Sequence, residues 1–441
     1  MSYSSISIIN TPFHFSILKK IKIMKNNKLF FTLYLVMMIA SHSYAQFCTE
    51  NNRFTNVEYF SDNEIESLTD VTYGNAINEQ GDSEALKLDY YFPTNSIDTM
   101  SSRPFVLLIH GGGFVGGDKS GLIDECKEFA KRGYVTATIN YRLGFDESIP
   151  GEDLKALYRA HQDANAALRY SIENASSLNI DTSWIFIGGG SAGAMTSLFA
   201  AYVDAQEYEG FYPGIGTTLG SLEDSANDLT HTFTIKGIFN NWGSGVIGAI
   251  QPEELKPMIS FHGALDMVVP IDTADNGLIG SQVFHDMSVE QGVCSELNVD
   301  PTGGHVIYNT PVEMIFRIER ASCFFKSVFC DSCADFYTTD VIPADCSNMP
   351  TAIVETTEPN EISIFPNPIS DTVQLQLDND WKGELSLRIV NTLGQVLFNE
   401  TLVKPSRQIS WEIDMSELGP GAYQLLLSDG EEIRVKPLVK I

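Results

Sequence analysis

The hydrophobic pattern divides the chain into a long first part and a short last part. In the first part, apolar runs at 105–109, 135–139 and 258–261 alternate with longer stretches of helical period, among them 153–174 and 312–329. Short continuous apolar runs are typical of strands that are buried on both faces. Strands alternating with helices predict an α/β fold with a mostly parallel central sheet.

Other segments of the first part fit this arrangement. Residues 71–77 and 85–92 alternate apolar and polar positions, which predicts an antiparallel pair of strands. Helices are expected at 122–132, 192–202 and 277–291, and a short strand at 296–299. Residues 203–234 are rich in aromatic, glycine and acidic residues, and such a segment can form a cap or a pocket wall. Three aromatic residues could line that pocket or belong to the core: Phe211, Tyr212 and Trp242.

Beyond residue 360 the period changes to two, which is the period of strands. The expected strands are 362–365, 372–377, 385–389, 395–399, 409–413, 423–427 and 433–439. Seven short strands in about eighty residues predict a small immunoglobulin-like β-sandwich. The predicted organisation is therefore a leader at 1–45, an α/β domain at 46–350, a linker at 351–359 and a β-sandwich at 360–441.

The first 45 residues contain five lysines and no acidic residue. Lysines precede an apolar run at 29–40, and the small residues of Ser43-Tyr44-Ala45 follow it. This order predicts a secretory signal peptide that directs the chain to the periplasm, with Met1 or Met24 as the true start. The apolar run is too short to predict a stable membrane span.

The chemistry centres on Gly189-x-Ser191-x-Gly193, between a predicted strand at 184–187 and the helix at 192–202. A serine on a sharp strand-to-helix turn leaves space only for small residues two positions away. The turn exposes the Ser191 hydroxyl, and the helix N-terminus that follows points at the reacting oxygen. A glycine-rich turn without catalytic function would show the same spacing.

A second motif makes that alternative less favoured. The strand at 105–109 runs directly into His110-Gly111-Gly112-Gly113, where glycines allow backbone N–H groups to turn towards an oxyanion. With both motifs in this order, the chain resembles the α/β-hydrolase superfamily, in particular carboxylesterases and lipases of the HGGG type, over residues 71–329. The resemblance implies an oxyanion hole formed by the backbone N–H groups of Gly112, Gly113 and Ala192.

A serine nucleophile needs a histidine base and a carboxylate that orients it. The run from His262 to Pro270, with the pattern H-G-x-x-D-x-x-V-P, resembles the acid loop of these hydrolases and indicates Asp266 as the acid, with Asp272 as a weaker candidate. Because the base follows the acid in this family, only His285 and His305 are available. His285 falls in a predicted helix, whereas His305 follows Gly303-Gly304 in a loop, so His305 is favoured. His110, His262 and Asp163 are expected to have supporting roles. Asp163 is expected to support the strand-to-helix turn around Ser191, which we call the elbow.

All seven cysteines lie beyond the predicted leader, and in an exported protein they predict disulfides with one thiol left over. Cys330 and Cys333 have the spacing of a zinc-binding pair, but no matching second pair follows. Disulfides are therefore favoured over zinc. Cys126, in the predicted helix at 122–132, is expected to be the free thiol.

The predicted function is that of a secreted serine carboxylic-ester hydrolase that needs no metal or organic cofactor. Two alternatives stay open: a serine peptidase of the same fold, and a hydrolase-fold binding protein without catalytic activity. The substrate would be a small-molecule or polysaccharide-linked ester. A net charge of −29 argues against a nucleic-acid partner.

Short motifs in the last part suggest its function. The motifs are the runs 365–368 (Phe-Pro-Asn-Pro) and 390–394 (Val-Asn-Thr-Leu-Gly), the pattern Leu418-x-x-Gly421-x-Tyr423, and the lysines Lys436 and Lys440. Together they resemble a type A sorting domain of the type IX secretion system. The resemblance implies that residues 360–441 bind this secretion machinery and that the protein is secreted or lies on the cell surface. A carbohydrate-binding module is the alternative, with Trp381 and Trp411 as the aromatic residues it would use.

Overall fold

The structure is a computed structural model. It describes residues 47–48, 52–146, 148–274, 277–342, 344 and 346, and the range 362–440 with gaps at 366–368, 370, 379–380, 392–395, 406–407, 417, 420 and 429–432. The predicted signal peptide and the predicted linker at 351–359 lie outside the described residues, as does part of each of the motifs at 365–368 and 390–394. The chain divides into two compact units, residues 1–352 and 353–441.

The first unit is built on a nine-stranded sheet with the order β1-β2-β4-β3-β5-β6-β8-β10-β11. β1 pairs antiparallel with β2, and β2 antiparallel with β4, while every later pair is parallel. β7 and β9 form a separate two-stranded ribbon. The strands are β1 (Ile65–Ile77), β2 (Ser83–Pro93), β3 (Arg103–Ile109), β4 (Val135–Ile139), β5 (Ile180–Gly190), β6 (Ile235–Asn241), β7 (Gly245–Val246), β8 (Met258–Gly263), β9 (Leu278–Ile279), β10 (Ser295–Asp300) and β11 (Phe336–Thr338).

Helices cover both faces of this sheet, so alternate residues of the central strands enter two different cores. In β3, Phe105, Leu107 and Ile109 belong to one hydrophobic cluster, whereas Val106 and Leu108 belong to the other. This is why the run is continuously apolar. The predicted α/β architecture is confirmed, and the strand order is that of the α/β-hydrolase fold. The helices are Ile123–Lys131, Glu152–Glu173, Ala175–Leu178, Ala192–Tyr202, Ala205–Phe211, Ile215–Leu219, Ser281–Gln291 and Pro311–Phe329.

The segment 203–234 contains two short helices, Ala205–Phe211 and Ile215–Leu219, and most of its other residues form turns or irregular structure. Its second half is attached to the long helix Glu152–Glu173, where the Tyr158 hydroxyl donates to the carbonyl of Gly220 at 2.9 Å. The segment therefore packs against a covering helix of the sheet.

Three disulfides are present, so the prediction of disulfides is confirmed and the zinc interpretation is wrong: the cysteines it required are bonded to one another. Cys126 is the free thiol, buried in the helix Ile123–Lys131 as expected. Each bridge ties a residue in or just beyond the helix Pro311–Phe329 to another segment. The pairs are Cys48–Cys330, Cys294–Cys333 and Cys323–Cys346.

The second unit contains all seven predicted strands, which confirms an all-β domain. They form one antiparallel sheet of order β12-β13-β16 and another of order β15-β14-β17-β18. Alternate residues of both sheets enter one core, among them Val373 and Leu375 from β13, and Leu385 and Leu387 from β14. The strands are β12 (Ile362–Phe365), β13 (Thr372–Asp378), β14 (Gly383–Asn391), β15 (Val396–Lys404), β16 (Gln408–Asp414), β17 (Gly421–Ser428) and β18 (Ile433–Lys440).

Within the ranges described above, no helix is both long and apolar enough to cross a bilayer.

Candidate active site

Ser191 lies on a tight turn between β5 and the helix Ala192–Tyr202. Its φ of 53° is in the left-handed region, which a non-glycine residue adopts only where the surroundings enforce it. A Cβ atom at Gly189 or at Gly193 would collide with the carbonyl oxygen of Ile109 on the neighbouring strand. The glycines of the motif are therefore required by close packing against β3, as the spacing predicts.

Ser191, His305 and Asp266 form a continuous hydrogen-bonded row. The Oγ atom of Ser191 lies 2.8 Å from Nε2 of His305, and Nδ1 of His305 lies 2.8 Å from Oδ2 of Asp266. An ionised carboxylate can only accept, so Nδ1 carries the proton and Nε2 accepts from the serine hydroxyl. Three residues separated by up to 114 positions in the chain are thus brought into one geometry that suits general-base activation of the hydroxyl.

The carboxylate of Asp266 is fully buried and heavily hydrogen-bonded. Oδ1 accepts the backbone N–H groups of Val268 and Val269 at 2.8 and 2.9 Å, and Oδ2 faces His305 and, at 3.3 Å, Nε2 of His262. Burial alone would raise the pKa of Asp266, but these hydrogen bonds outweigh it and hold the pKa well below its ordinary value. The group therefore stays ionised, as an acid that orients a histidine must.

His262 supports the acid loop from behind. Its Nε2 donates to the carbonyl of Val269 at 2.8 Å, and its Nδ1 lies 2.7 Å from the Ser281 hydroxyl. Because Val269 also donates its N–H group to Asp266, the buried imidazole fixes the loop that carries the carboxylate. This is the supporting role expected for His262.

The glycine loop after β3 lies beside Ser191. Gly112 and Gly113 both have positive φ values, and the carbonyl of Gly112 accepts the N–H groups of Val115 and Gly116 at 3.1 and 3.0 Å, which closes the loop on itself. Ala192, the residue after Ser191, begins the helix Ala192–Tyr202. Of the three residues expected to form an oxyanion hole, Ala192 directly follows the serine in the chain. Gly112 and Gly113 line the same cavity as the serine.

His110 braces the start of this loop. Its Nδ1 lies 2.8 Å from the carbonyl oxygen of Gly111, and its ring stacks on Tyr141, whose hydroxyl donates to the His110 carbonyl at 3.0 Å. Burial lowers the pKa of His110, which favours the neutral ring. Its position matches the supporting role expected from the sequence.

Two residues considered as alternatives lie elsewhere. His285 is buried in the helix Ser281–Gln291 and contacts the Ser295 hydroxyl at 2.9 Å, so it is a packing residue. Asp272 is exposed beyond the acid loop.

Asp163 is buried, but its carboxylate binds the backbone N–H and the guanidinium of Arg142, at 2.8 and 2.7 Å. It thus stabilises the segment after β4. The contact is with that segment and not with the elbow, where the sequence analysis expected it.

A cavity of about 580 Å³ opens over the serine. Of the three aromatic residues considered for a pocket, Trp242 lines it, whereas the described lining includes neither Phe211 nor Tyr212. Five charged or amide residues of the wall belong to no motif, so the sequence did not predict them: Asp118, Glu125, Asn241, Asn309 and Arg317.

The fold and this arrangement of residues define the class of the first unit as an α/β-hydrolase of the carboxylesterase and lipase type. Residues 88–247 match the family model named BD-FAE, and residues 363–440 match the model of the secretion system C-terminal sorting domain. The chain therefore carries a BD-FAE esterase domain followed by a C-terminal sorting domain of the type IX kind. Such a tail indicates a protein that is secreted or lies on the cell surface.

Three individual proteins that are similar to the chain share 27% or less of its residues over the matched regions. The chain is 27% identical over 173 residues to esterase LipI of Mycobacterium tuberculosis, a match that covers 37% of this chain and 51% of that protein, so the chain spans about half the length of this curated relative. The butyrate-bound esterase Est2 of Thermogutta terrifontis is 20% identical with a TM-score of 0.43, covering 56% of this chain and 91% of that one. A truncated carbohydrate esterase from gut microbiota is 18% identical with a TM-score of 0.41, covering 62% and 98%.

Proposed function

We propose that the protein hydrolyses carboxylic esters through an acyl-enzyme, with Ser191 as nucleophile, His305 as base and Asp266 as the acid that orients the base. The observation that carries this proposal is the continuous row of hydrogen bonds from Ser191 Oγ to His305 to Asp266, with 2.8 Å at each step. The match to an esterase family over residues 88–247 supports the choice of substrate class.

In the first half of the reaction, Oγ of Ser191 attacks the ester carbonyl while its proton moves to Nε2 of His305. The imidazolium is stabilised by the buried carboxylate of Asp266, which stays ionised. The bond between the carbonyl carbon and the alkoxy oxygen of the ester then breaks while Nε2 gives its proton to the departing alkoxide. An acyl-serine remains. A water molecule then loses a proton to Nε2 and attacks the acyl carbon. The bond between the acyl carbon and Oγ breaks, Nε2 returns the proton to Oγ of Ser191, and the carboxylic acid leaves.

The tetrahedral intermediate carries a negative oxygen, for which we propose the backbone N–H groups of Gly112, Gly113 and Ala192 as donors. Two lie on the glycine loop and the third begins the helix after Ser191, whose N-terminal end also favours negative charge. One such donor typically lowers the barrier by about 3 kcal/mol. The scheme assigns no step to a metal or an organic cofactor.

The Ser191→Ala variant tests the proposal. It should lose hydrolysis of phenyl acetate and labelling by an organophosphonate, while its thermal unfolding stays close to that of the unchanged protein, because the hydroxyl is the only group removed. Activity should be measured against aryl and alkyl acetates, acetylated xylan and peptide amides in parallel. Unchanged turnover by the variant would refute the role of Ser191, and cleavage of amides but not esters would favour the peptidase alternative.

We also propose the division of labour along the chain. Residues 1–45 act as the signal peptide that brings the chain to the periplasm, residues 46–350 form the hydrolase, residues 351–359 link the two domains and residues 360–441 are the sorting domain. The match of residues 363–440 to sorting domains supports the last assignment. Cell fractionation of a chain that ends at residue 348 tests it, since that chain should remain in the periplasm.

A further inference from the structure

Two imidazoles face the carboxylate of Asp266. Nδ1 of His305 lies 2.8 Å from Oδ2, and Nε2 of His262 lies 3.3 Å from the same oxygen. The proposed reaction forms an imidazolium at His305, which needs this negative charge. A positive charge at His262 would offset the carboxylate before the reaction begins. Whatever keeps His262 neutral therefore supports catalysis.

His262 contacts the hydroxyl of Ser281, the first residue of the helix Ser281–Gln291. Oγ of Ser281 lies 2.7 Å from Nδ1 of His262 and 3.0 Å from Nδ2 of Asn240, which lies near the end of β6. All three side chains are fully buried, so bulk solvent does not compete for these contacts. The three side chains form a hydrogen-bonded row that leads from β6 to the acid loop.

The direction of this row is fixed at Asn240. The backbone N–H group of Gly243 donates to its Oδ1 at 3.0 Å, so the NH2 group is the part of the amide that faces Ser281. An NH2 group can only donate, so the hydroxyl of Ser281 accepts from it. Among the described residues, Nδ1 of His262 is the only acceptor that this hydroxyl contacts, and it receives the hydroxyl hydrogen. The single ring proton therefore lies on Nε2, the nitrogen that faces Asp266.

On the basis of the proposed ester hydrolysis, we infer that Asn240 and Ser281 are positioning residues. They hold His262 in its neutral form, with the proton on Nε2. The full negative charge of Asp266 is thereby left to the imidazolium that forms at His305. The described lining of the cavity over the nucleophile includes neither Asn240 nor Ser281, so both act through His262 and not on the substrate.

Nitrogen NMR of the histidine side chains tests the inference on the unchanged protein. At neutral pH we expect a proton on Nε2 of His262 and none on Nδ1. The signals of His262 are those that disappear in the His262→Gln variant. A proton on Nδ1, with or without one on Nε2, would overturn the inference.

The Asn240→Asp variant should reverse the row with almost no change in shape. The new carboxylate accepts from the hydroxyl of Ser281, whose oxygen then accepts from Nδ1 of His262. Because both ring nitrogens then face acceptors, we expect His262 to be doubly protonated at neutral pH. This imidazolium offsets the charge of Asp266. For phenyl acetate, kcat should therefore fall by about tenfold or more, while KM should change by less than about threefold.

Removal of the Ser281 hydroxyl should break the connection. When Asn240→Asp is combined with Ser281→Ala, no hydroxyl joins the new carboxylate to Nδ1 of His262. The ring should return to one proton, and kcat should be at least about threefold higher than in Asn240→Asp alone, as expected for coupled residues. A purely structural defect would instead become worse with a second buried substitution.

Two matched controls make the same chemical changes elsewhere. Ser288→Ala removes another fully buried hydroxyl from the same helix, one with no hydrogen-bond partner among the described residues. Asn165→Asp places a carboxylate at another buried asparagine, in the helix Glu152–Glu173. Both variants should keep His262 singly protonated and kcat within about threefold of the unchanged protein, because neither site shares a partner with the row.

The possible results separate the two proposals. A singly protonated His262 in Asn240→Asp would overturn the inference, as would a double variant no more active than Asn240→Asp or equal changes in the controls. The measurement on the unchanged protein decides the position of the proton even where a variant does not fold. Failure of the unchanged protein to hydrolyse any ester would refute the proposed function itself, whatever the proton on His262 shows.

Discussion

The Asp266→Asn variant tests how the histidine is oriented. In the protein, Oδ1 of Asp266 accepts two backbone N–H groups, from Val268 and Val269, while Oδ2 accepts Nδ1–H of His305. An asparagine can keep only one of these oxygens. Because two N–H groups face the Oδ1 position, the amide oxygen is expected there, and the NH2 group then faces His305.

The consequence for His305 is a change of tautomer. An NH2 group donates to Nδ1, so the ring proton moves to Nε2, and Nε2 can no longer accept the proton of Ser191. In a serine protease with the same three catalytic groups, loss of the correct tautomer lowers kcat by about 10⁴-fold, and we expect a similar loss here. At about 1.36 kcal/mol per factor of ten, this corresponds to about 5.5 kcal/mol in the activation free energy. Charge-assisted hydrogen bonds also become neutral ones, so the free energy of unfolding should fall by about 1–3 kcal/mol.

The assay is the initial rate of phenyl acetate hydrolysis at saturating substrate, with urea unfolding of the same samples to measure stability. The matched control is Asp272→Asn, which makes the same chemical change at the exposed alternative acid six residues later. It should change kcat by no more than about twofold, as expected for a surface substitution. A loss below tenfold for Asp266→Asn, or a larger loss for Asp272→Asn, would show that Asp266 does not orient the base.

Further predictions concern the base, the cysteines and the tail. His305→Ala should lower kcat by several orders of magnitude, whereas His285→Ala should lower it little, because the His285 side chain is buried and contacts Ser295 instead of the serine. The opposite order would identify a different base. Titration with a thiol reagent should find no reactive thiol in the folded protein and one after unfolding without reductant, that of Cys126. A chain that ends at residue 348 should hydrolyse phenyl acetate like the full chain but remain in the periplasm; normal secretion of this shorter chain would refute the sorting role of residues 360–441.

The elements that sequence could predict are those whose signals are local. The elbow is recognisable because Gly189, Ser191 and Gly193 satisfy one steric requirement within five residues, and the packing against Ile109 explains why. The acid loop is similar, since Asp266 binds N–H groups only two and three positions away. The alternation of apolar and polar residues beyond residue 360 is a local signal as well, and it predicts all seven strands of the second unit.

The elements that sequence analysis missed depend on distant contacts. β11 has three residues and forms only because β10 offers an edge, so no periodicity distinguishes it from a loop. The pairing of the six bridged cysteines cannot be deduced from their spacing. Glu125 and Arg317 are 192 positions apart on two amphipathic helices, where each reads as an ordinary charged surface residue.

Asn241 connects the nucleophile to Arg317 in the cavity wall. It lies at the end of β6, where no sequence motif indicates its importance. Its carbonyl accepts the N–H group of Ser191 at 3.0 Å, and its amide donates to the carbonyl of Gly189 at 2.9 Å, so it holds both sides of the elbow. Its remaining oxygen accepts from Arg317. Asn241 therefore contacts the elbow through its backbone carbonyl and its amide N–H group, and contacts the guanidinium through its amide oxygen. Because one amide group makes both side-chain contacts, it cannot turn its oxygen away from Arg317 without also releasing the carbonyl of Gly189, two residues before the nucleophile.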